Sequence, residues 1–239
     1  MNNTSEIRIM TSGAFTAAYL ALIPRLELLT GKKLVTAATS IGTGENSIPN
    51  RLRRREPVDI VIVADAVLLG FIKEGLILAD SYTPLARSAI GMAVRKGAPK
   101  PDISTVEMLT STLLRANSIA YSASVSGEYL TTELLQRLGI AERVLPKCRR
   151  IEGGERVGAV IARGEAEIGF QQMSELLPVQ GIDHITPLPS EVQKVSVFSA
   201  GIAASTTDQA AAHAVIKFLS SADAAEAIAK SGLEPIVNH

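Results

Sequence analysis

The chain has 239 residues, of which 46% are hydrophobic and 20% charged, enough to form one large core or the cores of two lobes. Lysine plus arginine and aspartate plus glutamate both number 24, so the formal net charge is zero, which argues against a general nucleic-acid-binding or membrane-surface protein. A single cysteine, Cys148, and three scattered histidines exclude an internal disulfide and a cysteine-based metal cluster. We therefore expect no metal and no cofactor.

The N-terminal residues, MNNTSEIRIM, lack the basic region and the apolar segment of a secretory signal. We expect either a cytoplasmic protein or a periplasmic one whose signal has been replaced by Met1. No apolar run reaches the roughly 18 residues that a bilayer crossing needs, so membrane insertion is not expected.

The first third of the chain alternates strands and helices. Strands are predicted at 6–10, 33–38 and 58–64, and helices at 15–29, 47–55 and 65–74. This βαβαβα order with short connections is typical of a parallel sheet with helices on both faces. Ligands of such sheets bind beyond the carboxyl ends of the strands.

Polar loops follow the first two strands. The first contains Ser12 and Gly13, and the second, residues 39–46, is glycine-rich and contains Ser40 and Thr43. Neither loop has the spacing of a dinucleotide fingerprint or of a Walker loop. Both therefore remain candidates for binding a smaller anion at the carboxyl edge of the sheet.

A third junction of this kind lies in the middle of the chain. A short strand at 118–121 precedes the polar stretch Ser122–Gly127, and apolar residues at helical spacing then run from 129 to 138. Free N–H groups and the positive end of the helix dipole suit an anion at such a junction. The alternative is an ordinary serine N-cap satisfied by water. The similar stretches near Ser12 and Thr43 favour the anion site.

The remaining elements continue the alternation. Strands are predicted at 89–94, 166–171 and 195–203, and helices at 102–114, 156–163, 174–177, 208–220 and 221–230. Gln171 and Gln172 stand at the carboxyl end of the second of these strands.

Four stretches resemble the type II periplasmic-binding-protein family, in the branch that includes the molybdate-binding proteins. They are IRIMTSGAFTAAY, RREPVDIVIVADAVLLGFIKEGLI, RVGAVIARGEAEIGFQQMSEL and AHAVIKFLSSADAAEAIAKSGLEP. The resemblance implies an α/β fold of two Rossmann-like lobes with a ligand cleft between them. Lobe 1 would comprise residues 1–82 and 196–239, and lobe 2 residues 83–195.

The resemblance also implies where a small anionic ligand binds. Ser12 matches the serine of the family's first loop, Ser40 and Thr43 match its second loop, and the stretch from Ser122 to Gly127 matches the amide donors of its second lobe. Together with Gln171, the expected ligand-binding residues are Ser12, Gly13, Ser40, Thr43, Ser122, Ser124, Ser126, Gly127 and Gln171.

One position departs from the molybdate-binding pattern. Those proteins commonly show a tyrosine near the strand end that here reads Phe170-Gln171-Gln172. The loss of a hydroxyl and the gain of two long amides predict a ligand with separated carboxylates in place of molybdate.

Two functions remain open. The first is a non-catalytic anion-binding protein of the solute-binding type, which would have a transporter permease as partner if it is exported. The second is an isomerase of an unsaturated tricarboxylate, as the aconitate isomerases of this wider family imply. An isomerase needs a general base. No histidine lies in these loops, so the candidate bases are Glu45, Glu128 and Tyr121, or a hydroxyl activated by a neighbour.

Overall fold

The computed structural model of the protein describes residues 6–38, 40–42, 44–152 and 154–238, without the side chains of Ala38 and His184. The chain divides into two compact units. Unit 1 comprises Met1–Ser88 and Val197–His239, and unit 2 comprises Ala89–Ser196.

Strands and helices alternate through both units. The strands are β1 (Glu6–Thr11), β2 (Lys33–Ala38), β3 (Ile60–Ala64), β4 (Thr83–Ser88), β5 (Ile90–Arg95), β6 (Ile119–Ser122), β7 (Cys148–Ile151), β8 (Ile168–Gln172), β9 (Ile182–Pro187), β10 (Ser196–Ile202) and β11 (Glu234–Pro235). The α-helices are α1 (Gly13–Thr30), α2 (Ile48–Arg53), α3 (Asp65–Lys73), α4 (Val106–Arg115), α5 (Val125–Glu128), α6 (Leu135–Arg137), α7 (Ala141–Val144), α8 (Val157–Ala162), α9 (Met173–Leu176), α10 (Gln209–Leu219) and α11 (Ala222–Lys230). A π-helical stretch, Tyr129–Leu134, joins α5 to α6. Short 3-10 helices occupy Ala79–Ser81, Leu145–Lys147 and Ser190–Val192.

Unit 1 contains a six-stranded sheet in the order β11-β4-β10-β3-β1-β2. β1 pairs in parallel with β2 and β3, while β10 is antiparallel to β3. The fully buried strand β3 explains the continuous apolar run in the sequence, because Ile60 and Ile62 pack in one core cluster and Val61 and Val63 in another. The carboxyl ends of β1, β2 and β3 therefore share one edge.

Unit 2 contains a five-stranded sheet in the order β7-β6-β8-β5-β9. β6 is parallel to β7 and β8, whereas β5 is antiparallel to β8 and β9. Helix α8 lies close against this sheet, since a Cβ on Gly169 would stand 2.6 Å from Val157 Cγ1. The carboxyl ends of β7, β6 and β8 again form one edge, from which the predicted serine stretch departs.

The predicted α/β class is confirmed, and the main differences concern edges and helix ends. The prediction of Ser122–Gly127 as a polar loop is wrong at both ends. Ser122 is the last residue of β6, and α5 begins at Val125 after the extended N-cap Ser124 (φ −113°, ψ −176°). Strands β7 and β9 were not predicted, because they lie at the edges of the sheet and carry polar residues. β10 enters the first sheet antiparallel, which the parallel pattern did not indicate.

Candidate functional site

Ser12 lies at the carboxyl end of β1 and is the N-cap of the 18-residue helix α1. Its backbone N–H donates to the Ile62 carbonyl at 2.8 Å, which fixes it beside the end of β3. Its Oγ is buried and has no hydrogen-bond partner in the described part of the chain. Because the first N–H groups of a helix also lack partners within it, this helix end has donors for an anion.

The second loop of unit 1 is described only in part. Thr43 lies outside the described residues, so its predicted role stays a prediction. Ser40 is partly buried, and its carbonyl accepts a hydrogen bond from Ile48 N–H at 2.8 Å. Sequence reasoning missed Ser47, the N-cap of α2, whose buried Oγ has no partner in the described ranges. Pro49, within the first turn of the helix, was the available signal.

Three serines of unit 2 form a hydroxyl cluster at the end of β6, which we call the serine cluster. Ser122 Oγ lies 2.8 Å from Ser124 Oγ and 3.0 Å from Ser126 Oγ, and Ser124 Oγ lies 3.3 Å from Ser126 Oγ. Ser126 is fully buried, while Ser124 is partly exposed. A hydroxyl can rotate to donate or accept. The serine cluster can therefore turn donors towards an anion without moving the backbone.

Gly127 is required where the first turn of α5 meets the end of β6. A Cβ at this position would stand 1.8 Å from the Ser122 carbonyl oxygen and 2.7 Å from Tyr121 Cδ2. The π-helical stretch follows directly, and π-turns are frequent at functional sites. Tyr129 at its start donates its hydroxyl to the Val192 carbonyl at 2.7 Å, which anchors this segment.

The two glutamines at the end of β8 have different environments. Gln171 is buried: its Oε1 accepts from Val157 N–H at 3.0 Å and its Nε2 donates to Glu175 Oε1 at 2.9 Å. Gln172 donates to Ser196 Oγ at 3.2 Å, but its buried Oε1 has no partner among the described residues. Gln171 therefore connects β8 to α8 and α9. Gln172 instead has a polar atom, Oε1, without a partner among the described residues.

Phe170 is a core residue of unit 2. Its side chain is fully buried in the main core cluster of unit 2, which also contains Ile168 and Tyr129. A tyrosine hydroxyl at this position would enter an apolar core. The interpretation of Phe170 as a lost ligand-binding hydroxyl is therefore wrong, and the preference for a carboxylate ligand has to rest on other grounds.

The predicted bases differ in exposure. Glu45 and Glu128 are both exposed. Tyr121 is partly buried, and burial raises the pKa of its hydroxyl, which lowers the fraction present as the basic phenolate.

Glu175, which sequence reasoning missed, is a partly buried carboxyl in α9. Burial raises its pKa to about 7, and the Arg156 guanidinium and the Gln171 amide offset this effect only in part. The sequence did contain a signal for this residue. Glu175 lies four residues after Gln171, where a strand end leads into a helix. A carboxyl that titrates near neutral pH can both accept and return a proton.

This pKa predicts a pH-dependent stability. The folded state binds the Glu175 proton more tightly than the unfolded chain, in which a glutamate titrates near 4.5. The resulting stabilisation is present below pH 4.5 and is lost as pH rises through about 7. At about 1.4 kcal/mol per pKa unit, and discounting for partial exposure, the loss is roughly 1–3 kcal/mol.

The free energy of unfolding of Glu175→Gln minus that of the wild type should therefore increase as the pH rises from about 4.5 to about 8. Urea denaturation of both proteins across this range measures the difference. Glu142→Gln, at an exposed carboxylate of the same unit, is the control. A constant difference between wild type and Glu175→Gln at all pH values would contradict the raised pKa.

Comparison with known proteins assigns the family. The sequence profile of bacterial extracellular solute-binding proteins matches residues 7–234. The chain belongs to this family. Among curated relatives, an aconitate isomerase from a Pseudomonas species is 42% identical over 233 residues, which cover 97% of this chain and 88% of the relative. The resemblance drawn from the sequence is thus confirmed.

Solved structures of periplasmic binding proteins share the fold. The Azotobacter vinelandii periplasmic molybdate-binding protein matches with a TM-score of 0.76 and 18% identity, covering 98% of this chain and 100% of that one. The sulfate-binding protein of Mycobacterium tuberculosis matches with a TM-score of 0.73 and 16% identity, covering 97% and 87%. The predicted periplasmic-binding-protein fold is confirmed. In the described ranges, no helix has both the length and the apolar character of a membrane span.

Proposed function

We propose that this protein binds a small organic anion and isomerises an unsaturated tricarboxylate of the aconitate type. The geometric observation that carries anion binding is the buried Ser12 hydroxyl, which has no partner among the described residues and lies at the N-terminus of an 18-residue helix. The reaction and the ligand class are supported by the aconitate isomerase that is 42% identical over nearly the whole chain. A tricarboxylate offers several carboxylates for the hydroxyl and amide donors of this chain.

Each unit offers donors for an anion under this proposal. Ser12 and Gly13 supply a hydroxyl and helix N–H groups, and the second loop of unit 1 adds Ser40 and Thr43. The serine cluster and the first turn of α5 supply the donors of unit 2, with Gly127 allowing the backbone to approach the strand end. Gln171 acts indirectly, because both ends of its amide already bind neighbouring groups. The proposed set is Ser12, Gly13, Ser40, Thr43, Ser122, Ser124, Ser126, Gly127 and Gln171.

A second candidate is a binding protein without catalysis. It is favoured by the family, which is described as extracellular and solute-binding, and by structural relatives that are periplasmic binding proteins. In that case the protein would work outside the cytoplasm with a transporter permease as partner. This function needs the same donors but no general base, so turnover separates the two candidates.

The ligand class is predicted to be organic. In a thermal-shift screen at equal concentration, trans-aconitate, cis-aconitate and tricarballylate should raise the unfolding midpoint more than molybdate, tungstate or phosphate. A ligand that binds only the folded state stabilises it according to its saturation. Calorimetry that shows tight molybdate binding and no heat with any organic acid would contradict this prediction.

Incubation with trans-aconitate tests the reaction itself. Chromatography should show cis-aconitate accumulating in proportion to protein concentration. Tight binding of trans-aconitate without formation of cis-aconitate would contradict the isomerase function and support the non-catalytic binding function.

A further inference from the structure

Glu175 is held at the carboxyl edge of the sheet in unit 2. It lies in α9 directly after β8, and its Oε1 accepts a hydrogen bond from Gln171 Nε2 at 2.9 Å. Gln171 also accepts from Val157 N–H at 3.0 Å, which ties the pair to the first residue of α8. The carboxyl group is therefore fixed by a buried amide whose other end is bound to a helix N-terminus.

The serine cluster lies at the end of β6, and the hydrogen-bonded pair of Gln171 and Glu175 lies at the end of β8, the neighbouring strand. Both lie on the same side of the sheet. β6 and β8 pair in parallel with Ala120 opposite Gly169, and both residues face α8. Because strand side chains alternate, Ser122 and Gln171, two residues further on, share that face. The hydroxyl cluster and the carboxyl group thus emerge at the same end and face of adjacent parallel strands.

We propose that Glu175 is the proton-transfer residue of the isomerisation and that Gln171 positions it. This inference rests on the proposed function and adds the acid–base group that the function needs. The Glu175 carboxylate accepts a proton from the methylene carbon of the bound tricarboxylate, and the electron pair of that C–H bond forms the new C=C bond. The electron pair of the old C=C bond accepts a proton from Glu175 at its far carbon, so that formula and net charge stay unchanged.

The electrostatics fit this assignment. Burial raises the pKa of Glu175 to about 7, while the Arg156 guanidinium lowers the pKa and favours the carboxylate. A group with a pKa near the working pH is the most effective in general acid–base catalysis. Of the three sequence-based candidates, Glu45 and Glu128 are exposed to water, and burial raises the pKa of the Tyr121 hydroxyl.

Glu175→Gln distinguishes a role of Glu175 in proton transfer from its structural role as the hydrogen-bond partner of Gln171. A glutamine at this position can still accept the hydrogen bond from Gln171 through its own Oε1, so the contact to α8 is kept. We expect kcat for trans-aconitate to fall about 100-fold or more, the range for loss of a general acid–base group, with KM changed by less than about threefold. We expect the activity of the wild type to titrate near pH 7, and any residual activity of Glu175→Gln to lack this titration. Glu142→Gln, an exposed carboxylate of the same unit, is the matched control.

The outcomes are distinct. A wild type that interconverts the aconitates, together with an inactive Glu175→Gln that still binds trans-aconitate in calorimetry, supports the assignment. An active Glu175→Gln with an unchanged pH profile overturns the role of Glu175 but leaves the isomerase function standing. A wild type that binds trans-aconitate and does not convert it overturns the isomerase function, and the proton-transfer role with it.

Discussion

Replacement of Gly127 by alanine is expected to destabilise the protein by roughly 2–3 kcal/mol, at the upper end of overpacking substitutions. The added Cβ would stand 1.8 Å from the Ser122 carbonyl oxygen, and that atom belongs to the backbone, so it cannot move like a flexible side chain. To relieve the clash, the first turn of α5 has to shift away from the strand end. Because this turn carries Ser126, ligand affinity should fall together with stability.

Urea denaturation and calorimetry of Gly127→Ala measure both effects. Gly70→Ala is the matched control, since Gly70 lies in helix α3 and a Cβ there would meet no atom within 4 Å. Alanine at such a helical position should stabilise by about 0.5–1 kcal/mol. Equal stability of wild type and Gly127→Ala would mean that the serine cluster tolerates movement, contrary to the requirement for glycine at this strand end.

Ser12→Ala is expected to weaken ligand binding by about 1.5–3 kcal/mol, the range for a hydrogen bond to a charged group, which corresponds to a 10- to 150-fold rise in Kd. The free energy of unfolding should change by less than about 0.5 kcal/mol, because the buried Ser12 Oγ has no partner among the described residues to lose. Ser126→Ala should show a loss of affinity in the same range.

Calorimetry with the best organic anion from the screen measures these affinities. Ser220→Ala is a control matched in burial, since Ser220 is 6% exposed against 5% for Ser12, and Ser220 lies at the C-cap of α10. If Ser12→Ala and Ser126→Ala both retain the wild-type Kd, the ligand is bound elsewhere.

The parts of the fold that depend on local pattern were predictable. The apolar run of β3 follows from its sequence, because a buried strand needs apolar residues on both faces. Strand β2, at 33–38, was also predicted, although it lies at the edge of the sheet and only Leu34 of its described side chains is buried. Strand β7, with the sequence CRRI, was not predictable in this way, because it is an edge strand with two exposed arginines. Its pairing with β6 is a long-range interaction that no local period reports.

The sequence predicted that hydroxyl groups lie at strand ends, but it did not predict which of them contact one another. The spacing of Ser122, Ser124 and Ser126 indicated a polar junction, but only the structure shows the three hydroxyls within 3.3 Å of one another. The role of Gln171 as a brace and the raised pKa of Glu175 depend on burial and on partners from other elements. Exposed Glu128 and partly buried Glu175 look alike in sequence, and burial alone separates them as bases.

Proton NMR of the purified protein with each aconitate isomer separately tests the proposed isomerisation most directly. We predict that trans-aconitate and cis-aconitate reach the same final mixture, at a rate proportional to protein concentration and reduced in Ser12→Ala. Both isomers remaining unchanged, in the presence of protein that calorimetry shows to be saturated with ligand, would contradict it.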